Sequence, residues 1–392
     1  MADQYDVLVI GGGIHGVGVA QAAAAKGYSV LLLEQTGLAS GSSSRSSKLI
    51  HGGLRYLESF QFSLVRESLQ ERSILLQIAP DLVRLRRFLI PVYPDTSRRP
   101  WQLRVGLGLY AMLAGDDRGR EHGILPRRYW DQLDGLRTDR LQAVFYYHDA
   151  QTDDARLTRA VMYSAAQLGA EFLRPAEFIA ADVRKSVCTI RYHHNGSDQE
   201  CQARVVVNAA GPWVNDVLAR MNPQPEKRSV DLIQGTHLIL ERYISDDCFY
   251  LEVPSDRRAV FLMPWNGQTL LGTTETLYQG DPSAVRPTPG DTDYLMDVVY
   301  RYFPDESPKV MDSFAGLRVL PGAQGAAFRR SRETFFSVDN KQRPCVVSIY
   351  GGKLTGYRAA AEKVMSILRG SLPVRDQMAD TANLMLHPER GV

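Results

Sequence analysis

The feature that most constrains this chain is the ordered block at its start. An apolar stretch over residues 5–10 runs into Gly11-Gly12-Gly13-Ile14-His15-Gly16. An alanine-rich segment follows, and a second apolar stretch over residues 28–33 stops at Glu34. Each part fits one job. Gly11 permits a tight turn off a strand, and Gly13 lets backbone N–H groups approach a pyrophosphate. Gly16 lets the following helix pack close to the sheet with its positive N-terminal end on the phosphates. A carboxylate at the end of the second strand accepts hydrogen bonds from both ribose hydroxyls and repels a 2′-phosphate. Glycine-rich turns alone are common, but strand, turn, helix, strand and acid in this order predict a dinucleotide-binding βαβ unit in an α/β fold.

At 392 residues the chain exceeds one hydrophobic core, so two domains sharing a cleft are expected. A net charge of +2 gives no general attraction to nucleic acid, which is not an expected partner. Cys188, Cys201, Cys248 and Cys345 are scattered with no CxxC. That argues against a disulfide framework, a zinc site or an iron–sulfur cluster, and no metal is expected. Residues 1–4 are too short for a signal peptide and no apolar run is long enough to span a bilayer. The expectation is a cytoplasmic protein, soluble or peripheral on the cytoplasmic face of the inner membrane.

Residues 40–48 (Ser-Gly-Ser-Ser-Ser-Arg-Ser-Ser-Lys) read either as a flexible linker or as a loop whose hydroxyls and N–H groups bind an anion. A helix is expected over Phe62–Ile78, ended by Pro80. Asp153 or Asp154 can cap another that runs to about Leu168, with Gly169 as its stop. Asn195-Gly196 and Asn266-Gly267 each lie between apolar stretches and predict hairpins, so the second half is partly antiparallel. Residues 346–350 lead into Gly351-Gly352-Lys353, where a helix is expected to begin. A helix start aimed at a reduced flavin places partial positive charge where it is needed, and a bound nicotinamide needs no such device. The expected division is a discontinuous cofactor domain (1–80, 145–215 and 336–370), a substrate domain (81–144 and 216–335) and a short tail (371–392).

Residues 46–58 (Ser-Ser-Lys-Leu-Ile-His-Gly-Gly-Leu-Arg-Tyr-Leu-Glu) resemble the hallmark of the FAD-dependent glycerol-3-phosphate dehydrogenases. So do Asp153-Asp154-Ala155-Arg156-Leu157, the run from Asn208 to Val214, Gly272-Thr273-Thr274-Glu275, Gly316-Leu317-Arg318 and Gly351-Gly352-Lys353-Leu354-Thr355. The motifs keep the family's order over residues 5–357. The resemblance implies a Rossmann-like FAD domain of the glutathione-reductase or amino-acid-oxidase kind with an antiparallel-sheet substrate domain. It implies noncovalent FAD, oxidation of sn-glycerol 3-phosphate to dihydroxyacetone phosphate, and electrons passed to a membrane quinone or another acceptor. Cofactor contacts fall on Gly11, Gly13, Ile14, Gly16, Glu34, Gln35, Ser42, Ser46, Ser47, Lys48, Leu49, His51 and Gly52. Further contacts fall on Gly211, Trp213, Arg318, Gly352, Lys353, Leu354 and Thr355.

Substrate positions fall on Arg55, Tyr56, His237, Thr274, Arg318, Arg332 and Lys353. A secondary alcohol carrying a phosphate needs cations for the anion and a base for the hydroxyl proton. Guanidinium groups donate two parallel hydrogen bonds and suit the first task. His51 and His237 are the candidate bases. Arg318 has a structural salt bridge as its competing account. Other readings of the chain remain open: a flavoenzyme of another hydroxy or amino acid, or a flavin-binding electron-relay subunit. Fuller-length bacterial members continue into a helical C-terminal domain, which residues 371–392 do not supply. What that domain contributes to dimerisation, quinone access or membrane docking does not carry over from the resemblance. The flavin and substrate motifs are untouched, and the half-reaction chemistry is expected to survive. Arg84, Arg86, Arg87, Arg98, Arg99 and Arg104, set among Trp101, Leu103, Val105, Leu107, Leu109 and Tyr110, form either a membrane-docking surface or a core helix with a solvated basic face.

Overall fold

The computed structural model describes residues 4–115, 118–184, 187–322 and 333–388. Among them run seven α-helices: α1 (Ile14–Ala25), α2 (Phe62–Ile78), α3 (Pro100–Ala114), α4 (Asp154–Gln167), α5 (Val214–Ala219), α6 (Pro289–Tyr302) and α7 (Tyr357–Leu368). Strand β1 (Gln4–Ile10) lies inside the first sheet, parallel to β2 (Val30–Leu33) on one side and to Ser197–Asn208 on the other. Val7, Leu8 and Val9 have no exposed surface, as a strand covered on both faces requires. Each such side chain stabilises by about 1.5–3 kcal/mol on burial. Helix α1 is apolar on nearly every side and packs against both α4 and α7. Its buried Gln21 amide donates to Ser164 Oγ at 2.9 Å.

The strand Ser197–Asn208 does two jobs. Its first half forms the expected hairpin with Cys188–His194, while its last residues run parallel to β1 and to Val346–Tyr350. The start, middle and end of the chain therefore build one layer. The second sheet holds ten strands among the described residues. Val230–Leu240 pairs antiparallel with Val310–Pro321, and Arg258–Trp265 with Gln268–Gly272. Asn266 and Gly267 turn that second hairpin at φ +49° and +78°, the doubly positive backbone that Asn-Gly favours.

One strand falls differently from expectation. Ala143–Thr152 pairs along its length with Val83–Val92 in the second sheet, whereas the sequence reading began the cofactor domain at 145. We propose dividing the chain by sheet membership, with strands at 4–33, 171–222 and 335–350 in the cofactor layer. The second layer then takes the strands at 49–152 and 230–321, and α2 contributes to the cores of both. Residues after α7 fold back on the cofactor layer. Leu386 is 1% exposed, its N–H donates to the Ile78 carbonyl at 2.6 Å, and Met378 N–H donates to the Ala25 carbonyl at 2.8 Å.

The arginine-rich stretch splits between the strand Val83–Val92 and α3. Arg98 does not belong to a solvated basic face: it pairs with Glu58 and, at 2.6 Å, with Glu252. Arg87 is engaged with Asp247 through two hydrogen bonds of 2.8 and 2.6 Å. Trp101, Val105 and Met112 of α3 are 67%, 64% and 69% exposed. Among the described residues no helix is long and apolar enough to cross a membrane.

Candidate active site

A cavity of about 690 Å³ opens between the two layers, and both glycine turns and the serine-rich loop line it. At its first end the βαβ unit has the expected geometry. Gly11 sits at φ +108°, and a methyl at Gly16 would lie 1.8 Å from the Gly11 carbonyl oxygen, so only glycine lets α1 start this close to the strand. Gly16 itself packs here and does not line the cavity; Gly11, Gly13 and Ile14 do. The serine-rich segment is no free linker. Ser42–Ser44 form a 3₁₀ turn, Ser43 Oγ accepts the Ile14 N–H at 2.9 Å, and Ser42 Oγ donates to the Leu317 carbonyl at 2.7 Å.

Glu34 has more to do than the sequence suggested. Its carboxylate accepts the Gly12 N–H at 2.7 Å, and the Thr36 N–H and hydroxyl at 2.8 and 2.9 Å. It thus ties the glycine turn to the end of β2 while remaining, with Gln35, in the cavity wall. His15, inside the glycine turn, meets the second turn: a methyl at Gly352 would lie 2.1 Å from His15 Nε2. Its buried Nδ1 has no hydrogen-bond partner among the described residues, and burial lowers its pKa to about 4. The helix after that second turn starts at Tyr357 rather than at Gly351.

The serine loop is pinned from behind. Asp153 is the N-cap of α4, accepting the Arg156 N–H at 2.9 Å, which leaves Asp154 free to face the loop. Asp154 accepts from the Ser46 N–H and hydroxyl at 2.9 and 2.7 Å and pairs with Lys48 Nζ at 2.5 Å. Lys48 also donates to the Ser44 carbonyl at 2.6 Å. Lys48 therefore points away from the cavity, while Ser46, Ser47 and Leu49 line it.

At the other end, His51, Arg55, Tyr56, His237, Arg318, Lys353, Leu354 and Thr355 share the wall. Lys353 Nζ lies 3.9 Å from the centroid of the Tyr56 ring. Arg318 donates to Glu275 Oε1 at 3.1 Å and to Thr273 Oγ1 at 3.2 Å, so the salt bridge is present in a side chain that also lines the cavity. Arg258 completes the group, donating to the Glu275 carbonyl at 3.3 Å. His237 is 1% exposed, stacks on Phe314 at 4.9 Å, and its Nε2 lies 2.9 Å from Ser47 Oγ. Burial, reinforced by the Arg318 and Lys48 cations, holds its pKa well below the ordinary histidine value. His51 is less enclosed, and its N–H donates to Thr355 Oγ1 at 3.0 Å.

Gly211 and Trp213 line the cavity beside the serine loop. Gly52 lies behind the wall, with its N–H on Tyr110 Oη at 2.8 Å. Thr274 turns inward, accepting the Thr236 N–H at 3.0 Å, and does not line the cavity. Arg332 and its neighbours Arg329 and Arg330 lie outside the described residues. Among the described residues no cluster of three or more His, Cys, Asp or Glu side chains is fit to hold a metal. Sequence reasoning passed over Arg258 and Tyr250 in the wall; a lone arginine or tyrosine inside a strand carries no local signal of facing a cavity.

The residues present fit an FAD. Helix α1 starts from a glycine N-cap, Gly13, that makes no side-chain cap, the Glu34 carboxylate lies at the end of β2, and the same cavity is lined by the second glycine turn with Lys353. Comparison with known proteins agrees. Residues 6–358 match the family model described as "DAO: FAD dependent oxidoreductase". A glycerol-3-phosphate dehydrogenase of Pseudomonas aeruginosa is 38% identical over 379 residues, 94% of this chain and 72% of that protein. A D-erythritol 1-phosphate dehydrogenase of Brucella abortus is 37% identical over 375 residues, 94% of this chain and 74% of that protein. The structure of the Bacillus halodurans glycerol-3-phosphate dehydrogenase complexed with FAD superimposes with a TM-score of 0.77 at 30% identity, covering 98% of this chain and 68% of that one. The chain is an FAD-binding oxidoreductase of the DAO family and belongs, with these relatives, to its glycerol-3-phosphate dehydrogenase group.

Proposed function

We propose that this flavoenzyme oxidises the secondary alcohol of sn-glycerol 3-phosphate to dihydroxyacetone phosphate and passes the electrons to a quinone. The observation that carries the reading is the meeting of Arg55, Lys353, Arg318 and His51 in one wall of the cavity. Three cations suit a phosphate dianion, and each charge-assisted contact is worth about 1.5–3 kcal/mol. FAD, when bound, supplies the two-electron acceptor for the C2 hydrogen. The protein's own residues do the rest. Arg318, oriented by Glu275 and Thr273, and Arg55 hold the phosphate end. Lys353 sits over Tyr56 at the same end. His51 takes the hydroxyl proton on a ring nitrogen. His237 lines the cavity with its Nε2 engaged by Ser47 and its ring stacked on Phe314. This favours His51 as the group in contact with substrate, since a general base must come within about 3.2 Å of the oxygen whose proton it takes.

The equally similar D-erythritol 1-phosphate dehydrogenase keeps a second reading alive, because a longer polyol phosphate presents the same phosphate and secondary alcohol. The quinone acceptor, a homo-oligomer and a peripheral contact on the cytoplasmic face of the inner membrane belong to the same proposal. For the last of these the support is the exposed Trp101, Val105 and Met112 face of α3, with Arg99 and Arg104 beside it. The test is anaerobic titration of the yellow protein with sn-glycerol 3-phosphate, D-erythritol 1-phosphate and glycerol. Bleaching of the flavin band by the first, weakened in Arg318→Ala, is expected. Stronger bleaching by the erythritol ester would move the substrate to the longer polyol. Equal bleaching by glycerol would remove the phosphate clamp.

A further inference from the structure

A buried polar cluster lies behind the Gly52–Gly53 turn, outside the cavity. Arg72 of α2, Tyr110 of α3 and Asp149 of the strand Ala143–Thr152 are 0%, 2% and 2% exposed. Arg72 Nη1 is 2.7 Å from Asp149 Oδ1 and donates to the His148 carbonyl at 2.7 Å. The Tyr110 hydroxyl lies 2.8 Å from Asp149 Oδ2, donates to that carboxylate, and accepts the Gly52 N–H at 2.8 Å. The fit is close: a methyl at Gly52 would sit 2.5 Å from Tyr110 Oη and 2.6 Å from Leu69. A buried ion pair of this kind is often no more stable than apolar side chains of the same volume, so its value here rests in what it holds. It holds one peptide plane, the one joining His51 to Gly52. The plane on the other side of His51 is held as well, since its N–H donates to Thr355 Oγ1 at 3.0 Å.

We propose that Tyr110, backed by Asp149 and Arg72, is a positioning residue for His51: it fixes the peptide from which the imidazole projects into the cavity wall. The inference rests on the reading of His51 as the proton acceptor. Burial keeps the Tyr110 hydroxyl protonated far above neutral pH, so it can accept from Gly52 and donate to Asp149 at once. Two side chains from opposite layers thus clamp His51, Thr355 from the cofactor layer and Tyr110 from the second. A displacement of about 1 Å of a catalytic group costs on the order of 100-fold in rate.

The test is Tyr110→Phe in the FAD-loaded enzyme, which keeps the ring and removes the hydroxyl. The rate of flavin reduction at saturating sn-glycerol 3-phosphate should fall about 10- to 100-fold. Half-saturation should stay within about twofold and FAD content should be unchanged. In a His51→Ala background, adding Tyr110→Phe should change the rate by less than about twofold, because residues that act through one another are not additive. A full additional loss in that background, or an unchanged rate in the single variant, would overturn the proposal. Hydrogen exchange over residues 49–57, which needs no substrate, should be faster in Tyr110→Phe, and unchanged exchange would also overturn it. Failure of wild-type flavin to be reduced would count against the substrate reading alone, with the exchange measurement still deciding the role of Tyr110. Should Tyr110→Phe not fold, Asp149→Asn takes its place with the same expected pattern.

Discussion

Three histidines sit near the cavity, and their surroundings separate them. His237 has Nε2 against Ser47 and its ring against Phe314; His51 remains in the open wall; His15 is wedged between the two glycine turns. For His15 the consequence is a pH dependence of stability. Its folded pKa of about 4 lies below the ordinary value near 6.5. Between those two values the unfolded chain takes up a proton that the folded chain refuses. Stability therefore falls as pH drops from about 6.5 to about 4 and is not further affected by this group below that. In the cofactor-free protein, melting curves of the wild type and of His15→Asn should diverge as pH falls from 7 to 4.5, the wild type losing more. Curves that stay parallel over that range would mean that His15 is protonated as easily in the folded protein as outside it.

At the scale of elements, what local patterning encodes was readable and what distant pairing encodes was not. Helix α2 spans Phe62–Ile78 because its apolar spacing and Pro80 are local, and both Asn-Gly hairpins formed for the same reason. The pairing of the strand Ala143–Thr152 was not legible because its partner, Val83–Val92, is far away in sequence. Arg98 was misread because Glu58 and Glu252 lie 40 and 154 positions from it. In the site the glycine turns, the serine loop and Lys353 of the second turn were legible as parts of the cavity wall, while Thr274 and Lys48 turned out to face inward. The serine loop shows the same limit. Its hydroxyls were legible, but the carboxylate that pins it comes from α4. With Lys48 and Asp154 side chains 7% and 0% exposed, Asp154→Asn leaves a buried ammonium without its counter-charge and should cost about 3–5 kcal/mol in denaturant unfolding. Lys48→Met should cost less, because Asp154 keeps its bonds from Ser46 and from the Ala155 N–H. Equal, small losses in the two variants would show that the pair contributes little and that the loop is held by other means.

The whole molecule is two layers joined across a cavity whose walls come from both. The Gly11–Gly13 turn, Glu34 and the serine loop belong to the cofactor layer; Arg55, His237, Tyr250 and Phe261 belong to the second. A ligand filling that space binds the folded arrangement and has no counterpart in the unfolded chain. It then stabilises by RT ln(1 + [L]/Kd), about 2.7 kcal/mol at a hundredfold excess over Kd. Stripping FAD should lower the melting temperature, and returning it should raise the temperature by an amount that grows with the logarithm of FAD concentration. Gly16→Ala forces a methyl to 1.8 Å from the Gly11 carbonyl, so the turn must open and the FAD-dependent shift should vanish. Tyr110→Phe acts on the far wall and should keep the shift in full. The two variants thus separate holding the cofactor from aiming the base. A melting temperature indifferent to added FAD in the stripped wild type would break the link between this cavity and the cofactor; loss of the shift in Tyr110→Phe would mean that the two layers respond to FAD as one unit.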